Sequence, residues 1–225
     1  MEWSESAWSA AGPVFSRILC HPFVLGLASG KLGRERFRYY IWQDSLYLKE
    51  YARVMSVLAS RFGDPGLTSM FLGYATENLE AEKAMQSLYL TGSGLDGGPG
   101  TGAEEPEEAS PTCLLCSSHL WRQAVASPLE VALASVLPCF VVYARTGRHI
   151  FDNAVLEGNP YRDWIEVYGS EGFDSPSESL LKLCDSCAAG ASPEVRKEMT
   201  EAFVTGVKLE WLFWDSAYNM EKWKI

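Results

Sequence analysis

Apolar residues recur at helical spacing through most of this 225-residue chain. Between Phe37 and Tyr51 one face carries Phe37, Tyr40, Ile41, Asp44, Tyr47, Leu48 and Tyr51, the stripe of a helix with one side packed on a core. The same spacing predicts helices over residues 4–19, 34–61, 67–90, 111–126, 128–151, 160–168, 176–189 and 193–222. The punctuation agrees. Asp64 stands where an N-cap is wanted and Pro65 at the first helical position, and prolines open most of the later helices. No stretch alternates with period two between turn signals. The pattern is that of an all-α, single-domain helical bundle over 1–225, without internal repeats.

One stretch breaks the pattern. Residues 91–111 are rich in Gly, Pro and Ser and hold Asp96, Glu104, Glu105, Glu107 and Glu108 with no base. This composition reads as a solvated acidic surface loop, with docking of a basic partner as the alternative.

Composition changes the picture little. Hydrophobic residues make up 47% and charged residues 21% of the chain, the balance of a soluble globular protein. A formal net charge of -10 argues against nucleic acid as a partner, since a phosphate backbone calls for a basic face. The longest apolar run, 131–144, falls short of the ~20 residues needed to span a bilayer, so no membrane is expected. The start, Met1-Glu2-Trp3-Ser4-Glu5, has no basic n-region followed by an apolar core, so no signal peptide is expected and the cytoplasm is the default location.

Three polar residues stand where core residues belong. Asp44 interrupts the stripe just described. Glu210 interrupts another, formed by Phe203, Val207, Phe213, Trp214 and Ala217. A buried carboxylate is costly unless it is paired, shifted in pKa or engaged with a ligand. Two inward carboxylates are therefore either an acid/base pair or two structural caps on buried cations or hydroxyls. Cys139 is the third. A cysteine alone packs as a small apolar residue. Pro138 before it, inside a predicted helix, frees a carbonyl and bends the helix, and such bends shape pockets. Tyr143 follows one turn later on the same face. A thiol beside carboxylates and phenols suits a nucleophile with its acid/base partner. Tyr161, Trp164 and Tyr168 form an aromatic group that suits either a flat heteroaromatic ligand or a core.

Other motifs fare less well. Cys113/Cys116 and Cys184/Cys187 are Cys-x-x-Cys pairs separated by 67 residues, outside zinc-ribbon spacing. They read as packed thiols on helices, with a redox pair as an alternative and no metal site. None of His21, His119 and His149 lies in the Glu-x-x-His motif of a di-iron bundle, and none compels a haem ligand. The segment Gly26-Leu27-Ala28-Ser29-Gly30-Lys31-Leu32 is one residue short of a phosphate loop and follows no strand.

Several ordered segments together resemble the thiaminase II (TenA) family. They are His21-Pro22-Phe23-Val24-Leu25-Gly26 with Ala28-Ser29-Gly30-Lys31-Leu32; Phe37-Arg38-Tyr39-Tyr40 with Gln43-Asp44-Ser45-Leu46-Tyr47-Leu48; and Ser110-Pro111-Thr112 with Ser118-His119. Further along come Leu137-Pro138-Cys139 with Tyr143; Tyr161 with Trp164-Ile165 and Tyr168-Gly169; and Glu210 with Phe213-Trp214 and Ala217-Tyr218. The resemblance covers about 12–223, interrupted by the acidic loop.

It implies a haem-oxygenase-like helical fold assembled as a homotetramer. The implied activity is hydrolysis of 4-amino-5-aminomethyl-2-methylpyrimidine to the hydroxymethylpyrimidine and ammonia, for thiamine salvage, with cleavage of thiamine as a further activity. No metal or organic cofactor is implied. By the family's mechanism Cys139 adds to the pyrimidine ring and Glu210 shuttles protons. Asp44 holds the ring's polar edge and orients the thiol, and Tyr47, Tyr143 and Tyr168 line the pocket. Cys139 places the chain with the cysteine-bearing branch. Cys116 departs from the family, which usually has a tyrosine there against the pyrimidine. A non-catalytic pyrimidine-binding or regulatory module on the same fold is the alternative.

Overall fold

The computed structural model describes residues 2–91, 108–169 and 175–225; most of the acidic 91–111 stretch therefore lies outside the described residues. All regular structure among these is helical. In chain order come α1 (Trp3–Leu19), α2 (Pro22–Ala28), α3 (Arg34–Ala59) and α4 (Pro65–Gln86), which runs into a π-helical turn (Ser87–Thr91). Then follow α5 (Pro111–Ala126), α6 (Leu129–Asn153), α7 (Arg162–Gly169), α8 (Ser175–Gly190) and α9 (Pro193–Asn219). The helices fall into two compact units. One holds Met1–Leu32 with Ala126–Asp215, the other Gly33–Val125 with Ser216–Ile225.

In the first unit α6 is the central element and packs against α1, α2, α7 and α8. Its residues 131–138 are buried without a break, so the helix is surrounded rather than amphipathic. By length and composition α6 could cross a bilayer, because the helix extends the apolar run beyond 131–144, but 72% of its most apolar window is buried within the protein. That is the packing of a core helix. Pro138 sits inside it, which leaves the Ala134 carbonyl without its helical donor.

Three buried glycines let neighbouring elements approach closely. A Cβ on Gly206 of α9 would lie 2.5 Å from Pro138 Cγ. One on Gly147 would meet the Tyr168 carbonyl oxygen, with Tyr168 Cβ at 2.8 Å, and one on Gly169 would meet the Phe151 side chain. Any side chain at these positions would push the elements apart.

The short α2 is not foreseen by the spacing of apolar residues. His21 caps it: its Nδ1 accepts from Phe23 N at 3.2 Å, and Pro22 follows at the first helical position, where a missing N–H costs nothing. The turn before α7 is a side-chain turn, in which Asn159 Oδ1 accepts from Tyr161 N at 2.9 Å. The helix therefore begins at Arg162, after Pro160 rather than at it.

In the second unit α3 lies along α4. Every member of the predicted α3 stripe is buried: Phe37, Tyr40, Ile41, Asp44, Tyr47, Leu48 and Tyr51. Each fully buried large apolar side chain contributes about 1.5–3 kcal/mol. Asp64 caps α4 as expected, accepting from Leu67 N at 2.8 Å. α5 is tied to α3 at both ends. The Arg61 guanidinium donates to the Ala124 carbonyl at 2.7 Å, Trp121 Nε1 donates to Glu50 Oε2 at 2.8 Å, and Ser110 N donates to Gln43 Oε1 at 2.8 Å.

The chain after α9 is strapped onto the same unit. The Tyr39 hydroxyl donates to the Glu221 carbonyl at 2.5 Å. Glu221 Oε2 accepts from Thr112 N at 2.9 Å, and Trp223 Nε1 donates to the Ala109 carbonyl at 3.0 Å. A carboxylate on the exposed N–H groups of the first turn is a stabilising partner for α5.

Candidate active site

The first unit carries Cys139, Tyr143, Tyr168 and Glu210. Cys139 directly follows Pro138 within α6 and is half-buried. Tyr143, one turn further along α6, is 7% exposed. Its ring lies 5.7 Å from that of Tyr168 and 5.3 Å from that of Trp214. Tyr168 in turn stacks on Trp164 at 4.3 Å with an interplanar angle of 28°. Phe23 closes the group against Trp214 at 5.2 Å. The result is an aromatic cluster from α2, α6, α7 and α9, of the kind that contacts a flat heteroaromatic ring.

Glu210 is 7% exposed, and its stripe mates Phe203, Val207, Phe213, Trp214 and Ala217 are all buried. The carboxylate therefore points inward with the apolar face of α9, one turn before Trp214 and one turn after Gly206. Tyr161, for which the sequence left ligand and core both open, has a core position. It is fully buried and its hydroxyl donates to the Leu32 carbonyl.

The second unit carries Asp44, Tyr47 and Cys116. Asp44 is 5% exposed and sits one turn before Tyr47, whose ring lies 5.7 Å from that of Tyr51. Cys116 is buried on α5, one turn after Cys113. Cys113 itself is more informative than its Cys-x-x-Cys spacing suggests. Its thiol is 3.5 Å from the Gln43 carbonyl. Burial, followed by the charges of Asp44 and Glu50, pushes its pKa up to about 12.

Gln43 belongs to a segment that carries the family resemblance but has no role assigned from it. It is 2% exposed, and its amide joins Ser110 N and the Glu108 carbonyl to α3, next to Asp44. Lying off the apolar stripe, it gives no periodic signal. Trp214 had a signal, its place on the α9 stripe, but that signal reads as core alone.

The other Cys-x-x-Cys pair lies in the first unit. Burial raises both the Cys184 and the Cys187 pKa, which favours the thiol over the thiolate at neutral pH. Among the described residues no group of three or more His, Cys, Asp and Glu is arranged to hold a metal ion. His21 has a clear structural task. With Nδ1 accepting a backbone N–H, its Nε2 carries the proton towards Asp215 Oδ1 at 3.4 Å.

The fold belongs to the haem-oxygenase-like class. A domain of unknown function with a heme oxygenase-like fold from Shewanella denitrificans superposes with a TM-score of 0.66 at 12% identity, covering 94% of this chain and 90% of that one. Closer likeness comes from a TenA homologue protein of P. horikoshii, with a TM-score of 0.84 at 25% identity over 97% of this chain and 99% of that one. The model of the TENA/THI-4/PQQC family matches residues 8–220. The chain is 33% identical to the aminopyrimidine aminohydrolase of Bacillus subtilis, over 99% of this chain and 92% of that protein. It is 30% identical to that of Halalkalibacterium halodurans, over 99% and 98%. The chain is thus a member of the TENA/THI-4/PQQC family.

Proposed function

We propose that the protein is an aminopyrimidine aminohydrolase (thiaminase II). It takes up water and converts 4-amino-5-aminomethyl-2-methylpyrimidine to the 5-hydroxymethyl compound and ammonia, in thiamine salvage. The observation that carries this reading is the near-full-length likeness to two proteins of that name, together with a half-buried thiol and an inward carboxylate on the helices that build one aromatic cluster.

In this reading Cys139 adds to the pyrimidine ring, and the ring nitrogen takes a proton. Glu210 delivers a proton to the departing amine, and water then adds at the exocyclic methylene carbon with Glu210 taking its proton. Expulsion of the Cys139 sulfur, with return of the ring-nitrogen proton to it, restores the aromatic ring and the free thiol. An acid/base carboxylate of this kind contributes about 10²–10⁴-fold. Asp44 binds the amino-pyrimidine edge of the substrate and orients the thiol. Tyr143 and Tyr168 contact the ring face, with Tyr47 and Cys116 as further substrate contacts. The chemistry uses no metal or organic cofactor. A cytoplasmic homotetramer completes the proposal, on the strength of the TenA resemblance.

The test is ammonia release from the aminomethylpyrimidine. Release by the intact protein, abolished in Cys139→Ala and Glu210→Gln, supports the hydrolase. Tight binding of the pyrimidine without turnover would point to a binding module instead.

A further inference from the structure

Gly206 stands in the middle of the 27-residue α9, where glycine destabilises a helix relative to alanine. Not every helical glycine of this chain has a contact that explains it: a Cβ at Gly12 of α1 would meet nothing within 4 Å. At Gly206 a Cβ would lie 2.5 Å from Cγ, 3.1 Å from Cβ and 3.4 Å from Cδ of Pro138. Pro138 is buried, and its ring is closed onto the backbone, so it cannot swing aside as a long side chain would. The helices themselves would have to part.

The two residues in this contact have notable neighbours. Pro138 is bonded to Cys139. Gly206 lies one helical turn before Glu210, on the same face. A displacement at the contact therefore passes to both the thiol and the carboxylate. We propose that Gly206 and Pro138 are a positioning pair that sets the spacing between Glu210 and Cys139, an inference that rests on the roles proposed for those two residues above. Carbon atoms in ordinary contact lie about 3.5–4.0 Å apart, so accommodating a methyl group at Gly206 would move the helices by about 1 Å. A shift of that size at reacting groups costs roughly 100-fold in rate.

The experiment compares wild type, Gly206→Ala, Pro138→Ala, the double variant and Gly12→Ala. Gly206→Ala is expected to lower kcat roughly 100-fold with KM within about threefold of wild type, because all the proposed substrate contacts except Tyr143 lie on helices other than α6 and α9. Gly12→Ala should match wild type. The double variant, which lacks the clashing Cγ and Cδ, should turn over faster than the product of the two single effects. A second readout needs no turnover: the pH profile of Cys139 alkylation by iodoacetamide, followed on the isolated peptide. Glu210→Gln and Gly206→Ala should displace it from wild type in the same direction.

Wild-type kcat in Gly206→Ala, multiplicative single effects, or an alkylation profile superimposed on that of wild type would each overturn the proposal. If Gly206→Ala fails to fold, recovery of fold and turnover in the double variant supports it, and failure there overturns it. If the wild type releases no ammonia, the aminohydrolase reading falls, and the alkylation profiles alone decide the positioning pair.

Discussion

Asp44 shares its buried stripe with Tyr40 and Tyr47, and its charge is felt by Cys113 across from α3. Asp44→Asn keeps the shape and removes the charge. In the role proposed for Asp44 this removes a charged hydrogen bond to the substrate, a loss of about 1.5–3 kcal/mol, so kcat/KM should fall roughly 10–100-fold while the melting temperature holds within a few degrees. Unchanged kinetics would remove Asp44 from the site. The thiols offer a second check at this scale. Cys20 is exposed and Cys139 half-buried, whereas Cys113 and Cys184 are buried with pKa values raised by burial. Brief maleimide treatment of the native protein near neutral pH should label Cys20 and Cys139 and spare Cys113 and Cys184. Equal labelling of Cys113 would contradict its buried setting.

Elements were legible where periodicity was long. The stripes of α3 and α9 forecast which side of each helix is buried, including the inward direction of Asp44 and Glu210. The short α2 was not legible, because seven residues give too few turns for a period, and its start depends on a histidine cap. The turn at Asn159 was misjudged because Pro160 signals a helix start, whereas the side-chain turn of Asn159 delays it to Arg162. Nor can periodicity reveal a close approach between helices. Gly147 looks like a weak spot in α6 by propensity alone, yet the backbone of Tyr168 rests on it. Gly147→Ala should push α7 outward, costing about 1–3 kcal/mol of stability, and should part the Tyr143 and Tyr168 rings. A urea titration measures the first effect. A variant as stable as wild type would show that α7 has room to move.

The molecule as a whole has a built-in response to pH. Burial lowers the pKa of both His21 and His119 below the usual 6.5; at His21 this outweighs the opposing pull of Asp215, and at His119 the Arg122 charge adds to it. Just below pH 6.5 the unfolded chain takes up protons that the folded protein refuses. Stability therefore climbs with pH through that window and is complete above it. The urea midpoint should rise from about pH 5.5 to 7.5, and the combined variant His21→Asn/His119→Gln should flatten the rise, since histidine is the group that titrates there. An equally steep rise in the variant would assign the effect to other groups.

The strap after α9 has a practical consequence. Glu221 and Trp223 hold the start of α5 through Thr112 and Ala109, and Tyr39 holds Glu221. A single backbone cut between Met220 and Glu221 would detach these three anchors together and leave the first turn of α5 without its carboxylate. Such a cut would thus loosen the helix bearing Cys113 and Cys116 while leaving every residue of the first unit in place.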